Sequence, residues 1–191
     1  MIIAVIGKKR SGKDTFADYL VNNYGFKKYG FGNPVKEICK LMFDFSQEQI
    51  DTDLKEEKDI RWNITPRETF QIIGTEFGRN FINQKLPNLN CYNEQFWIRK
   101  FELWYYKQIK LNPNIKIVIS DVRFLNEFEC LKKLNAVFVK ISRNTGLLDN
   151  HISENDLNNI SSHNIDITID NNLSLQDFYG KIQAMEELLN I

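Results

Sequence analysis

The residues best equipped for chemistry stand near the start of the chain, in Gly7-Lys8-Lys9-Arg10-Ser11-Gly12-Lys13-Asp14-Thr15. Gly7 and Gly12 permit a turn whose successive amides point at one anion, and Lys13, directly after the second glycine, can bridge the terminal phosphates of a nucleotide. The strict form of such a loop is G-x-x-x-x-G-K-[ST], whereas here Asp14 holds the hydroxyl position and Thr15 follows one place later. That hydroxyl ordinarily touches Mg2+, so Asp14 or Thr15 must take over the contact, directly or through water. The plainer alternative is a glycine turn capped by Ser11, with its lysines and arginine merely solvated.

A phosphate loop needs a strand before it and a helix after it. Residues 2–6 form the continuous apolar run of a central parallel strand covered on both faces. From Lys13 to Asn23 the apolar positions Phe16, Ala17, Tyr19 and Leu20, with Tyr24 just beyond, recur at helical spacing, and the start of that helix adds a favourable dipole for an anion. A weaker strand is predicted near 27–31. Pro34 then opens a helix through Val35, Ile38, Leu41 and Met42. The charged stretch 46–61 reads as an exposed helix or a mobile insertion. Thr65-Pro66 caps a long helix that carries Phe70, Ile73, Phe77 and Phe81 inward.

Beyond a loop at 86–92, an amphipathic segment from about 94 to 109 bears Trp97, Phe101, Trp104 and Tyr105. Strands at 115–120 and 136–141 enclose a helix at 125–134. A polar, loop-like stretch follows at 144–163, then a last strand at 165–169 and a helix from Ser174. Alternating strands and helices without a linker predict one α/β domain with a parallel sheet. Asp121 then falls at the carboxyl end of a strand, where open parallel sheets place ligand sites.

With 191 residues, 42% of them apolar, and 14 Phe and 7 Tyr, the chain can bury a core of its own. A formal charge of zero provides no global basic field for a nucleic-acid or membrane partner, so any anion site is local. Cys39, Cys91 and Cys130 lie far apart, the pattern of free thiols in a reducing compartment. The opening MIIAVIG lacks the basic leader and cleavage site of a signal peptide. No apolar run approaches the length of a membrane span. The expected location is the cytoplasm, the host's if the source is a virus. His151 and His163 do not make a metal site.

The segments GKKRSGKDTFADYLVNNY and KKYGFGNPVK, followed in order by PRETFQIIGTEFG, FWIRKF, ISDVRFLNE, VKISR, HISE and ITIDNNLSLQDFYGKI, resemble the deoxynucleoside monophosphate kinases of T-even phages and large DNA viruses. The resemblance covers most of the chain. It implies a three-layer P-loop kinase fold with a five-stranded parallel sheet flanked by helices, within which 34–110 is a mainly helical acceptor-binding region and 144–163 a lid. It also implies transfer of the γ-phosphoryl of ATP, with Mg2+, to a deoxynucleoside monophosphate, dGMP or dTMP foremost, by a homodimer. The charged stretch 46–64 is shorter than in some relatives, which bears on the choice of base.

Resemblance further implies residue roles. Gly7, Arg10, Ser11, Gly12, Lys13, Asp14, Thr15 and Arg143 would serve ATP. Lys9, Lys36, Arg61, Arg67, Gly74, Thr75 and Trp97 would serve the acceptor, Asp121 would orient the Mg2+ shell or bind the acceptor sugar or base, and Arg123 would hold either phosphate or Asp121. Lys13, Arg10, Asp121 and Arg123 would carry catalysis, and Asp14 and Thr15 would hold Mg2+. Several of these residues have plainer readings. Arg67 can be a surface ion pair with Glu68 or a neighbour, Trp97 a core residue, and Asp121 a helix cap ion-paired to Arg123, with Glu127 orienting that arginine. Two other functions fit the loop alone: a phosphomevalonate-type kinase, or a nucleotide sensor that transfers nothing.

Overall fold

The computed structural model describes residues 1–86, 96–144 and 162–189. Their contacts divide the chain into two compact units, one of 1–30 with 107–191 and the other of 31–106.

The first unit contains a five-stranded parallel sheet, β1 (Ile2–Ile6), β2 (Lys27–Tyr29), β3 (Ile117–Ile119), β4 (Val137–Ser142) and β5 (Ile167–Asp170), in the spatial order β2-β3-β1-β4-β5. β1 pairs with β3 on one side, Ile3 opposite Val118, and with β4 on the other, Val5 opposite Val139. All five β1 side chains are buried, as a strand covered on both faces requires. Helices α1 (Lys13–Tyr24), α7 (Leu125–Lys133) and α8 (Leu175–Leu189) belong to the same unit. Phe16, Ala17 and Leu20 of α1 and Phe178, Ile182 and Met185 of α8 pack with Ile3, Val5, Val118, Val139 and Ile141 into one core. Because every strand runs the same way, the residues that follow β1, β3, β4 and β5 all emerge at the carboxyl edge. The connection leaving β1 runs toward the β2 edge and the one leaving its neighbour β3 runs toward the β5 edge, so the order reverses between β1 and β3.

The second unit is helical: α2 (Asn33–Phe43), α3 (Gln47–Asp51), a 3-10 turn (Asp53–Glu56), α4 (Pro66–Gln71), a π-helical stretch (Ile72–Phe81), α5 (Ile82–Lys85) and α6 (Phe96–Leu111), whose residues from Lys107 belong to the first unit. Thr65 caps α4 in a reciprocal box with Glu68, and Ser46 caps α3 likewise with Gln49. Val35, Cys39, Phe45, Ile50, Ile73 and Trp97 form its core.

One expectation about this unit is sharpened by the structure and another is corrected. The stretch 46–61 is largely exposed and partly helical, but it is not a loose insertion, because Ile50 is 1% and Asp59 6% exposed. Asp59 organises the segment: it accepts from Gln49, from the Arg61 backbone and from two nitrogens of the Arg61 guanidinium, and its own amide bonds Ile64 O. Nor do Phe77 and Phe81 point inward: they are 42% and 47% exposed and stack on each other. The cause is the wider π turn, bonded i to i+5. It gives the buried face to Ile73 and Gly78, five apart, and moves the fourfold spacing of an α-helix to the outside.

Candidate active site

The loop after β1 is shaped by what its glycines exclude. A Cβ on Gly7 would lie 2.5 Å from Ile141 O, and one on Gly12 would lie 2.4 Å from Asn171 Nδ2. Gly12 also takes φ 105°, a conformation side chains rarely adopt. Between them Arg10 sits in the left-handed region at φ 63°. Ser11 is fully buried, its amide bonded to Lys8 O, and its hydroxyl caps nothing. No described side chain caps α1. The start of the helix, with its favourable dipole, therefore suits an anion. This is a cradle for a phosphate chain, not the capped turn that the sequence alone also allowed.

Lys13 curls back over the loop, its Nζ 2.5 Å from Gly7 O and 2.6 Å from Lys8 O. Lys9 and Arg10 are exposed on the loop's outer side, and Thr15 is half-buried in the first turn of α1. Asp14 accepts from the Ser120 hydroxyl at 3.0 Å and from Lys28 Nζ at 3.0 Å. Desolvation alone would raise the Asp14 carboxyl. The Lys28 ammonium and the Ser120 hydroxyl overcome it and leave the group below its ordinary value.

The loop has a support that the sequence reading missed. Asn171, immediately after β5 and 7% exposed, donates from Nδ2 to Ser11 O at 2.8 Å, while its own amide bonds Ser142 O at 2.8 Å. One carboxamide therefore ties the phosphate loop to the ends of β4 and β5. The usable signal was its position, since it directly follows a strand at the carboxyl edge. Ser120, directly after β3, is a second missed residue of the same kind.

Asp121 is half-buried beyond β3. Burial raises the Tyr29 phenol, and the Asp121 and Glu127 carboxylates raise it further, which sets both acids near that ring. Glu127, 2% exposed, accepts the backbone amides of Arg123 at 2.8 Å and Phe124 at 3.1 Å. The cap of α7 is therefore Glu127 rather than Asp121, and what it holds of Arg123 is the main chain. The Arg123 side chain is exposed, as is Arg143 just after β4.

In the second unit, Lys36 pairs with Asp51 at 2.9 Å. Arg67 meets Glu56 through two nitrogens, at 3.2 and 2.9 Å. Its ion pair is thus with Glu56, while Glu68 serves the cap. Two cations 31 residues apart are thereby docked on one short acidic stretch. Arg61 is committed elsewhere. It is bidentate to Asp59 and also bonds Asp44, which holds the Asp59 carboxyl far below its ordinary range. The Arg61 side chain stays 46% exposed, so the pairing marks it as ion-paired at rest, like Lys36 and Arg67.

Trp97 is 4% exposed, its indole nitrogen donating to Gly74 O at 2.7 Å and its ring filling the space where a Gly78 Cβ would stand. The core reading of Trp97 is the one observed, and a stacking platform would need a ring face that the burial removes. A Cβ on Gly74 would meet only ordinary contacts with Val35, and Thr75 is exposed. His151, Glu154, Cys91 and nearly all of the lid-like 144–163 lie outside the described residues.

The family model for deoxynucleotide monophosphate kinase matches residues 1–63 and 40–182. The chain belongs to this family. A putative deoxynucleotide monophosphate kinase of Acanthamoeba polyphaga mimivirus is 38% identical over 187 residues, covering 95% of this chain and 94% of the relative. The deoxynucleotide monophosphate kinase of Escherichia phage RB69 is 22% identical over 244 residues, with 96% and 98% covered. Among solved structures, dephospho-CoA kinase from Campylobacter jejuni aligns with a TM-score of 0.52 at 18% identity, covering 98% of this chain and 96% of that one. At that identity the likeness is one of fold, and the fold is that of the P-loop kinases. This kinase is accordingly a phosphotransferase that phosphorylates deoxynucleoside monophosphates, and neither the phosphomevalonate-type nor the sensor reading is favoured.

The oxygen donors of this kinase suit Mg2+. Asp14, Thr15, Ser120 and Asp121 are hard ligands at or near one end of the sheet, yet no group of three or more His, Cys, Asp or Glu among the described residues could cage a metal. Mg2+ is commonly held by one or two carboxylates together with substrate phosphates, which is what such a sparse set provides. No helix among the described residues is long and apolar enough to cross a membrane.

Proposed function

We propose that the chain transfers the γ-phosphoryl group of ATP to a deoxynucleoside monophosphate, dGMP or dTMP foremost, with Mg2+ bound beside Asp14 and either Thr15 or Asp121. The observation that carries this reading is the loop whose two glycines admit no Cβ, with Lys13 folded over it. It supports a donor site in which loop amides and Lys13 hold the terminal phosphates, with Arg10 and Arg143 toward ATP. The family resemblance supports an acceptor role for Lys9 in the first unit and, taken separately, for Lys36 and Arg67 in the second, with Arg123 available to either anion.

The chemistry asks little of the protein in the way of proton transfer. A phosphate monoester has its second pKa near 6, so its attacking oxygen is already an anion at neutral pH. That oxygen forms the new bond to the γ-phosphorus, and the bond to the bridging oxygen of ADP breaks. What the side chains supply is position and positive charge for a transition state spread over the equatorial oxygens. When bound, Mg2+ neutralises charge on the donor phosphates.

The decisive experiment is an acceptor panel with MgATP and dGMP, dTMP, dCMP or dAMP, reading ADP release. Strong stimulation by one or two of them is expected, and no stimulation by any would refute the reading. A homodimer in the cytoplasm, supported by the family resemblance, completes it. Light scattering on the purified protein tests the dimer.

A further inference from the structure

Asp14 follows the loop lysine, and the residue that holds it does not belong to the loop. Lys28, in the middle of β2, puts its Nζ 3.0 Å from Asp14 Oδ1 and 2.9 Å from Asp18 Oδ1. Asp14 and Asp18 are four apart on α1, so their carboxylates share one side of the helix. Ser120, 5% exposed, donates to the same Asp14 Oδ1 at 3.0 Å. Lys28 stands opposite Val118 in the β2–β3 pairing. Ammonium and hydroxyl are therefore delivered by adjacent strands in fixed register. Both contacts fall on Oδ1 while the Asp14 side chain stays 78% exposed, which leaves the lone pairs of Oδ2 to a cation.

We propose that Lys28 is a positioning residue for Asp14. Shared between two carboxylates, its ammonium fixes the Oδ1 edge of Asp14 against Ser120 and sets how strongly the Oδ2 edge takes the divalent cation that arrives with the donor nucleotide. The inference rests on Asp14 being a cation ligand, as read above. A lone surface ion pair would do little. Here the lysine side chain is only 33% exposed and serves two acids at once. A positive charge beside a carboxylate weakens its hold on a second cation, yet the same charge keeps that carboxylate in one place. Lys28 thus trades metal affinity for placement.

The test uses Mn2+, which is visible by electron paramagnetic resonance, titrated into the full chain with ADP, alongside turnover with Mg2+. Lys28→Met should tighten Mn2+ about 15-fold, the factor for removing a unit charge roughly 5 Å from a doubly charged ion in a water-like medium. In the same variant kcat should fall about tenfold as the carboxylate loses its fixed position, with the acceptor KM unchanged and Lys28→Arg restoring kcat. Asp18→Asn should act the other way on the metal, since the whole ammonium then falls to Asp14 and Mn2+ binds more weakly. General structural damage does not move one affinity in opposite directions in two variants. Unchanged or weakened Mn2+ binding in Lys28→Met, or tightened binding in Asp18→Asn, overturns the proposal. Asp14→Asn separates the levels. If it weakens Mn2+ binding while the Lys28 and Asp18 variants leave it unmoved, the role of Lys28 is refuted and the cation at Asp14 stands. If it leaves Mn2+ binding intact, both fall.

Discussion

The phosphate loop of the first unit and the cation-bearing stretch of the second are held in opposite ways. Around Gly7 and Gly12 the restraint is steric and buried: a carbonyl and a carboxamide stand where a Cβ would go, and Ser11 O is bonded to a residue 160 positions away. Around Lys36 and Arg67 the restraint is ionic and half-exposed, each cation resting on a carboxylate of the 51–56 stretch. The first arrangement fixes backbone amides before any ligand binds, which costs no reorganisation when charge develops. In the second, an anion can take over a cation from its carboxylate, because half-exposed ion pairs contribute little on their own. Under the proposed roles the donor side is rigid and the acceptor side exchangeable. The variants that follow attack that contrast.

The largest effect is expected from Gly12→Ala, where the new methyl would meet Asn171 Nδ2 at 2.4 Å in a backbone conformation that disfavours it. A displacement of about 1 Å at such a loop costs roughly 100-fold or more. The loss should appear in kcat/KM for ATP, measured by steady-state kinetics, with the acceptor KM little changed. A loop that tolerates the methyl is not rigid. Next comes Arg67→Ala, which removes a charge-assisted contact worth about 1.5–3 kcal/mol and should raise the acceptor KM by roughly 10- to 100-fold. ATP KM should hold steady. Glu56→Gln is the sharper probe of exchangeability. If the Arg67–Glu56 pair is only a resting place, the acceptor KM shifts by less than about fivefold, in keeping with the small worth of exposed pairs. An effect as large as that of Arg67→Ala would make Glu56 a rigid positioning residue and erase the contrast.

The rigid region was also the more legible one. The strand-loop-helix opening, all five strands, the cap at Thr65 and the helix start at Pro34 follow from local patterns of apolar runs, glycines and prolines, which act over a few neighbouring residues. The strand assignments erred only at their ends, as at β3, which is confined to Ile117–Ile119. What escaped was set by partners distant in sequence. Nothing around Asn171 announces that its carboxamide reaches Ser11, and nothing in the loop announces Lys28. In the second unit the α-helical period mispredicted Phe77 and Phe81, because the stretch is π-helical and the indole of Trp97, distant in sequence, packs where a Gly78 Cβ would stand. The resting partner of Arg61 escaped for the same reason. An arginine's preference for forked acceptors is visible in sequence, but Asp59 as the fork it meets is not.

The smallest effect asks whether the loop's rigidity is local or borrowed from the unit as a whole. Glu186 on α8 is 4% exposed, with Oε1 buried and lacking a hydrogen-bond partner. Burial raises its carboxyl above the ordinary 4.5, and a hydrogen bond from Tyr24 only partly opposes this. The Tyr24 phenol is pushed up to about 12, first by that bond and then by burial. An acid whose pKa is higher in the folded state binds its proton more tightly there. The folded protein therefore loses stability as pH rises from the unfolded value through the raised one. Glu186→Gln keeps an acceptor for Tyr24 and removes the ionisation, so it should gain about 1 kcal/mol at pH 7, the scale of a relieved buried polar group. By pH 4 the gain should vanish, because the wild-type carboxyl is then protonated as well. Thermal melts across this pH range check both the sign and the window. Tyr24 ends α1 at the helix terminus opposite the phosphate loop, and kcat should not follow the melting temperature. If kcat rises or falls with it, the loop is stiffened by the stability of the whole unit, and Asn171 with its two glycines is not sufficient.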